Sequence, residues 1–299
     1  MSVIDCSVII PTRDRPDQLD ACLEALSAQS LPRDRYEVIV VDDGSREPVA
    51  PRLGRFASQL NVRHARTPGA GPSAARNAGI ELAAGACLAF TDDDCLPDPG
   101  WLTALQGALR RSPGSMVGGR TLNLLPHCLP AEASQLIMDI VLGFYNADPD
   151  RPRFFTSNNM AVEAALLREV RGFDVTFLTA EDRDLCDRWR LAGHPLVFAS
   201  GAVVRHAHRM SLAGFVRQHT GYGRGAYRFM RTHRQRDAAT STLESGFYAG
   251  LVPTAARLVR GRQRPAALAA LLLVWQLANT AGFLQAWVAD AAAPRPGSR

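Results

Sequence analysis

The sequence predicts an α/β fold, a mainly parallel central sheet flanked by helices, with a helical C-terminal extension. Three observations carry this expectation. Strand-length apolar runs alternate with helical periodicity through the first third of the chain, the pattern of a parallel sheet. The runs are apolar throughout rather than at every second position, which fits strands covered on both faces. Three of them end in polar clusters, and open α/β sheets bind their ligands beyond the carboxyl ends of the strands.

Taken in order, Ser7 to Ile10 is the first buried strand, closed by Pro11-Thr12-Arg13-Asp14-Arg15. Asp17 to Gln29 carries Leu19, Cys22, Leu23 and Leu26 at helical spacing. Tyr36 to Val41 is a second strand, ended by Asp42-Asp43-Gly44-Ser45, and Val62 to Arg66 is a third. Pro72 to Ala84 reads as a helix with Ser73 near its start. Cys87 to Thr91 is a further strand, ending in Asp92-Asp93-Asp94, and Trp101 to Leu109 is helical. The stretch from Arg120 to Phe177 is less regular. From Ala266 to Ala289 no residue carries a formal charge until Asp290, a run long enough to cross a bilayer. It is alanine-rich and holds Gln276, Asn279, Thr280 and Gln285, so a surface-bound helix, a partner-packing helix and a core helix stay open beside a span. Arg257, Arg260, Arg262 and Arg264 precede it and would remain cytoplasmic if it inserted. The expected division is a catalytic domain over 1–225 and a helical extension over 226–299.

Composition narrows the function. With 299 residues, 46% hydrophobic and 21% charged, the chain is neither disordered, collagenous nor a disulfide scaffold. All 34 basic residues are arginine, which excludes a Schiff-base lysine and a P-loop lysine. The net charge is +5, and Arg205 to Arg236 holds eight arginines and no acid. That run is either a solvated basic face or a surface for phosphates or anionic headgroups. Zinc-finger spacing, RNP-type aromatics and a helix-turn-helix pattern are absent from the sequence, so a nucleic-acid partner is not expected. The six cysteines form no CxxC and sit largely in apolar runs, as free thiols of a reducing cytosol do. The N-terminus leads straight into Val8-Ile9-Ile10, so no signal peptide is expected.

The chemistry gathers at the strand ends. Three adjacent carboxylates, Asp92 to Asp94, repel one another unless a cation compensates them. Hard oxygen ligands suit Mg²⁺ or Mn²⁺, which bind through one or two carboxylates plus substrate phosphates. Gly44 permits a tight turn beside Asp43, which can accept hydrogen bonds from a base or sugar. Arg76, early on its helix, is placed to reach a diphosphate. Taken alone, each acidic strand end would serve equally as a turn or helix cap.

SVIIPTRDR, EVIVVDDGS, GPSAARNAGI, LAFTDDDC, TSNNMAV, GFD and EDRDLCDRW follow one another in that order between Ser7 and Trp189, within a resemblance that covers about Ser7 to Arg224. In this the sequence resembles the family 2 glycosyltransferases, nucleotide-sugar enzymes of the GT-A fold. The resemblance implies that Pro11, Thr12, Arg13, Arg15, Asp43 and Gly44 line the nucleoside site, commonly for uridine. Arg76 would lie near the base or phosphates. Asp92-x-Asp94 takes the place of the DxD motif, with Asp92 toward ribose or metal-bound water, Asp94 on the metal and Asp93 an extra acid on the donor side. His206 resembles a late histidine that approaches the metal or diphosphate. Asn159 matches a position lining the sugar or acceptor pocket. Leu185 and Trp189, spaced i, i+4, read as packing, and Asp184 and Arg188 as an i, i+4 ion pair, with acceptor or diphosphate contact by Arg188 and Trp189 as a second reading. Glu181-Asp182 matches the ED motif, with Asp182 as the general base that takes the acceptor proton.

Two departures concern the acceptor: Arg171-Gly172 stands for a glycine pair, and Glu163-Ala164 for paired arginines. The processive signature QxxRW is missing after the ED motif, which favours transfer of a single sugar. The expectation is an inverting, Mg²⁺- or Mn²⁺-dependent transferase that moves sugar from a nucleotide-diphosphate donor, a UDP-sugar, to a hydroxyl acceptor. The acceptor would be a lipid-linked or cell-envelope glycan, met in the cytoplasm or at the cytoplasmic membrane face. A nucleotidyltransferase and a non-catalytic sugar-nucleotide or lipid-binding protein are the rival readings.

Overall fold

The structure is a computed structural model and describes residues 4–236 and 245–292. The chain divides into two compact units: Met1–Leu125 with Tyr145–His208, and Pro126–Phe144 with Arg209–Arg299. The second unit therefore begins well before the expected boundary at 226 and takes in a segment of the middle region as well. The expected boundary follows the extent of the motif resemblance, to Arg224, and the helix Leu212–Arg236 runs across it.

The first unit is built on an eight-stranded sheet: β1 (Cys6–Thr12), β2 (Tyr36–Asp42), β3 (Val62–Arg66), β4 (Cys87–Phe90), β5 (Cys95–Pro97), β6 (Met116–Asn123), β7 (Met160–Glu163) and β8 (Leu196–His206). Their order is β3-β2-β1-β4-β7-β6-β8-β5. The strands read from sequence pair in parallel, β1 with β2 and β4, and β2 with β3. Beyond β4 the sheet turns mixed: β7 runs antiparallel to β4 and β6, and β5 to β8, while β6 and β8 are parallel. β1, β2 and β4 are buried along most of their length, which accounts for their continuous apolar sequence.

The helices α1 (Pro16–Ser27), α2 (Ala50–Leu53), α3 (Pro72–Leu82) and α4 (Trp101–Arg111) lie in this unit. α1 starts with proline at its first position, where no backbone N–H is missed, and buries Leu19, Cys22, Leu23 and Leu26. α5 (Leu129–Tyr145) occupies the middle region read as irregular; after it come α6 (Ala164–Glu169) and α7 (Glu181–Leu191). All six cysteines are free, as expected, and only Cys128 is not buried.

In the second unit α5 up to Phe144 packs with α8 (Leu212–Arg236), α9 (Ser245–Val259) and α10 (Pro265–Ala292). Its core joins Leu136, Ile140, Phe215, Val259, Leu268, Leu272 and Trp275. α8 and α10 meet backbone to backbone. A Cβ on Gly223 would lie 1.9 Å from the Asn279 carbonyl oxygen, and one on Gly282 would lie 1.9 Å from that of Thr220. α10 is long and apolar enough to cross a membrane, with mean hydropathy 1.7 over its most apolar window and a third of that window buried inside the protein.

Candidate active site

The polar clusters at the ends of β1, β2 and β4 come together, because these strands are neighbours and parallel. Thr12 Oγ1 donates to Asp93 Oδ2 at 2.7 Å. Arg15 Nη1 reaches Asp93 Oδ1 at 3.1 Å and Asp94 Oδ2 at 3.0 Å. The β1 and β2 loops are latched by the Asp14 N–H on Ser45 Oγ and the Arg46 N–H on Asp14 Oδ1. Gly44 has φ +76°, and a Cβ there would come within 2.9 Å of the Gly69 nitrogen, so the turn requires glycine. The Arg13 guanidinium lies against Gly69. Asp43 holds the 67–71 loop, accepting from Thr67 Oγ1 and the Ala70 and Gly71 N–H groups at 2.6 to 3.0 Å. A carboxylate has about four acceptor positions, and these bonds take three of them. Asp42, in the same cluster, is buried and structural: it accepts from the Ser45 N–H and from Arg66.

β8 delivers His206 to the same place. His206 Nε2 stands 3.2 Å from Asp94 Oδ1, and His208 stacks on the His206 ring with centroids 4.8 Å apart. Burial alone would raise the Asp94 carboxyl; the hydrogen bond and charge of His206, with Arg15, outweigh it and hold it below the usual carboxylate range. Burial likewise opposes protonation of His206, but Asp94 more than compensates and raises it. Burial pushes Asp93 up to about 6 against the pull of Arg15, and burial with His206 pushes His208 down to about 4. Asp94, Cys95 and His206 bring one ligand atom each within 4.8 Å of one another. Burial holds the Cys95 thiol well above its ordinary value, so it stays protonated and leaves a carboxylate–imidazole pair. With the partly exposed Asp92 alongside, this donor set fits Mn²⁺ or Mg²⁺ completed by phosphate oxygens.

The ED pair sits on the first turn of α7, where the N-terminal backbone dipoles favour negative charge. The turn into it is made by Ala180 at φ 65°, a left-handed conformation that costs a residue with a Cβ about 1–2 kcal/mol. Arg76 ties this helix to the acidic strand end. Its Nη1 donates to Glu181 Oε1 at 2.9 Å and its Nη2 to Asp92 Oδ1 at 2.7 Å, while its guanidinium lies 5.4 Å from the Phe173 ring centroid. Asp182 accepts the Arg183 N–H at 2.8 Å. Burial, with the neighbouring Glu181 charge, pushes its carboxyl up to about 7.

Several expected placements are corrected. Arg76 does not face an open diphosphate position; it is buried between two carboxylates. Asn159 is buried and bonded within the fold: its Oδ1 accepts from Trp101 Nε1 at 2.8 Å and its Nδ2 donates to the Ala202 carbonyl at 3.0 Å. It packs on Gly119, where any Cβ would overlap it. Arg188 forms the expected i, i+4 ion pair with Asp184 and also donates to the Val170 and Gly172 carbonyls, and Trp189 is buried as its packing reading expects, so the second reading, contact with acceptor or diphosphate, is the one corrected. Pro11, Thr12, Arg13, Arg15, Asp43, Gly44, Asp92, Asp93 and Asp94 lie at or just beyond the ends of β1, β2 and β4, and His206 at the end of β8.

Sequence reasoning missed Asn77, whose amide exchanges two hydrogen bonds with the Phe173 backbone and so fixes the GFD turn. It also gave His208 no place beside His206, although the spacing of two puts both on one side of an extended chain.

The family pattern described as glycosyl transferase family 2 matches residues 7–129, and that of glycosyl transferase family group 2 matches residues 131–286. The chain belongs to glycosyltransferase family 2. A pre-mycofactocin glycosyltransferase of Mycobacterium tuberculosis is 31% identical over 243 residues, 78% of this chain and 49% of that protein. The chain thus spans about half the length of that curated relative. The mannosyltransferase PcManGT from Pyrobaculum calidifontis, solved with GDP-Man and Mn²⁺, superposes with TM-score 0.67 at 21% identity over 96% of this chain and 87% of that one. S. aureus TarS 1-349 with UDP-GlcNAc superposes with TM-score 0.56 at 15% identity, covering 96% and 92%.

Proposed function

We propose that the protein is an inverting, metal-dependent glycosyltransferase that moves one sugar from a nucleotide-diphosphate donor to a hydroxyl acceptor. The observation that carries the reading is the Arg76 bridge, which joins the acidic strand end to the ED helix through Asp92 and Glu181. This supports a donor site and a base at one locus, an arrangement that a binding protein does not need.

In this reading Thr12, Arg13 and the remaining acceptor position of Asp43 hold the nucleoside. Arg15, half exposed beside Asp93 and Asp94, is free to turn toward the diphosphate. Asp94 and His206 would hold Mn²⁺ or Mg²⁺, which when bound neutralises charge developing on the leaving diphosphate. Asp182 takes the proton from the acceptor hydroxyl as that oxygen attacks the anomeric carbon. A carboxyl tuned to about 7 is well matched to this at neutral pH. One base acting opposite the leaving group gives inversion.

The donor base is uridine by the motif resemblance; the PcManGT complex with GDP-Man keeps guanosine as the second reading. The acceptor is a lipid-linked or cell-envelope glycan, reached at the cytoplasmic face of the membrane. Thermal shift with UDP, dTDP and GDP, each with Mn²⁺ and with EDTA, tests the donor site. A nucleotide at about one hundred times its Kd stabilises by about 2.7 kcal/mol, a rise of several degrees. Mn²⁺-dependent stabilisation by one nucleotide identifies the base. A folded protein that no nucleotide stabilises would refute the reading.

A further inference from the structure

The charge of the chain is divided unequally between its two units. Pro126–Phe144 with Arg209–Arg299 holds 13 arginines against 5 acids, a net +8, while the first unit holds 21 against 24, a net −3. The whole excess of positive charge therefore belongs to the helical unit. Such asymmetry points to an anionic partner.

The same unit presents an apolar stripe. Leu273, Leu277, Leu284, Trp287 and Val288 are each 49% to 64% exposed, and their spacing puts them on one side of α10. The opposite side of α10, through Leu268, Leu271, Leu272, Trp275 and Gly282, is built into the core of the unit and against α8. A transmembrane span would have to pull that side out of its packing. Arg257, Arg260 and Arg264 are exposed on the approach to the helix.

We infer that α10 lies in the plane of an anionic lipid surface, with the Leu273–Val288 stripe inserted at the headgroup boundary and the arginines of this unit on the lipid phosphates. Aliphatic side chains plus tryptophan beside a cationic surface are what an interfacial helix uses. Nucleic acid would match the charge and leave the leucines without a partner. This inference stands independently of the proposed donor chemistry.

The test uses the purified chain with phosphatidylglycerol–phosphatidylcholine vesicles and with phosphatidylcholine alone. Trp101, Trp189 and Trp275 are buried, so a shift in tryptophan emission reports Trp287. The expected result is co-sedimentation with the anionic vesicles only, a blue shift on binding, and release at high salt. Leu277→Gln/Leu284→Gln/Trp287→Ser should weaken partitioning at least about tenfold with an unchanged melting temperature. Arg257→Gln/Arg260→Gln/Arg264→Gln should do the same at low salt. Absence of vesicle binding, or equal binding by both variants, would overturn the inference. So would a dimer lost with the leucine stripe, displacement by an RNA oligonucleotide, or retention in cell membranes through carbonate extraction, which marks a span. Nucleotide-induced thermal shifts on the same samples read the donor site separately, so failure of one leaves the other standing.

Discussion

At the residue scale the site turns on two side chains whose roles differ in kind. Asp182 is the reacting group in the proposed mechanism, and Asp182→Asn should lower turnover by about 10²–10⁴ while leaving nucleotide affinity within a few fold. Its carboxyl must be ionised to accept a proton, so turnover should rise with pH through about 7 and level off above it; single-turnover rates from pH 5.5 to 8.5 check this. Arg76 is a positioning residue. Arg76→Met leaves the buried Glu181 and the partly exposed Asp92 without their cation, and breaking a buried pair costs about 3–5 kcal/mol. Denaturant unfolding should show that loss, and a stability change under about 1 kcal/mol would mean that the bridge is not formed. These residues also mark what the sequence could and could not say. Asp92 to Asp94 and Glu181-Asp182 are legible because adjacent acids need compensation and follow a strand or open a helix. The partner of Arg76 is not legible: Glu181 lies 105 residues away, and no spacing predicts that contact. Asn159 misled for the opposite reason, since its motif says nothing of Gly119, the gap in β6 that lets it hydrogen-bond inside the fold.

At the scale of elements, β1, β2 and β4, α1, α3 and α4 were readable to within a few residues because each has one buried face or is buried throughout, and β3, only partly covered, was readable as a short run beside them. β5 and β7 are too short for periodicity to register, and β6 carries Gly118 and Gly119 with a register shift at that point. The contact of α8 with α10 was likewise invisible, because it rests on two glycines far apart in sequence. Gly223→Ala puts a methyl group into the Asn279 carbonyl, and the helices must separate to admit it. The expected cost is about 1–3 kcal/mol. Thermal unfolding should show it, whereas Gly250→Ala on α9, where a Cβ meets nothing within 4 Å, should be neutral or slightly stabilising. Equal effects from the two would remove the close approach from the account.

For the molecule as a whole, a site built for chemistry lowers the stability of the fold that carries it, and pH exposes the conflict. The Asp182 carboxyl has its pKa raised in the folded protein from the ordinary 3.8 to about 7. The folded chain therefore holds this proton more tightly than the unfolded chain does. Its contribution to stability is present in acid and is lost as pH rises between those two values, with no further change above them. Asparagine imitates the protonated form at every pH. Asp182→Asn should melt with the native protein near pH 4 and above it at pH 8, by about 2 °C or more. An equal offset at both pH values would trace the difference to packing. A lower melting temperature at pH 8 would mean that the ionised carboxylate is stabilised in the fold, and the case for Asp182 as a base tuned by burial would then fail along with the pH–rate profile predicted from it.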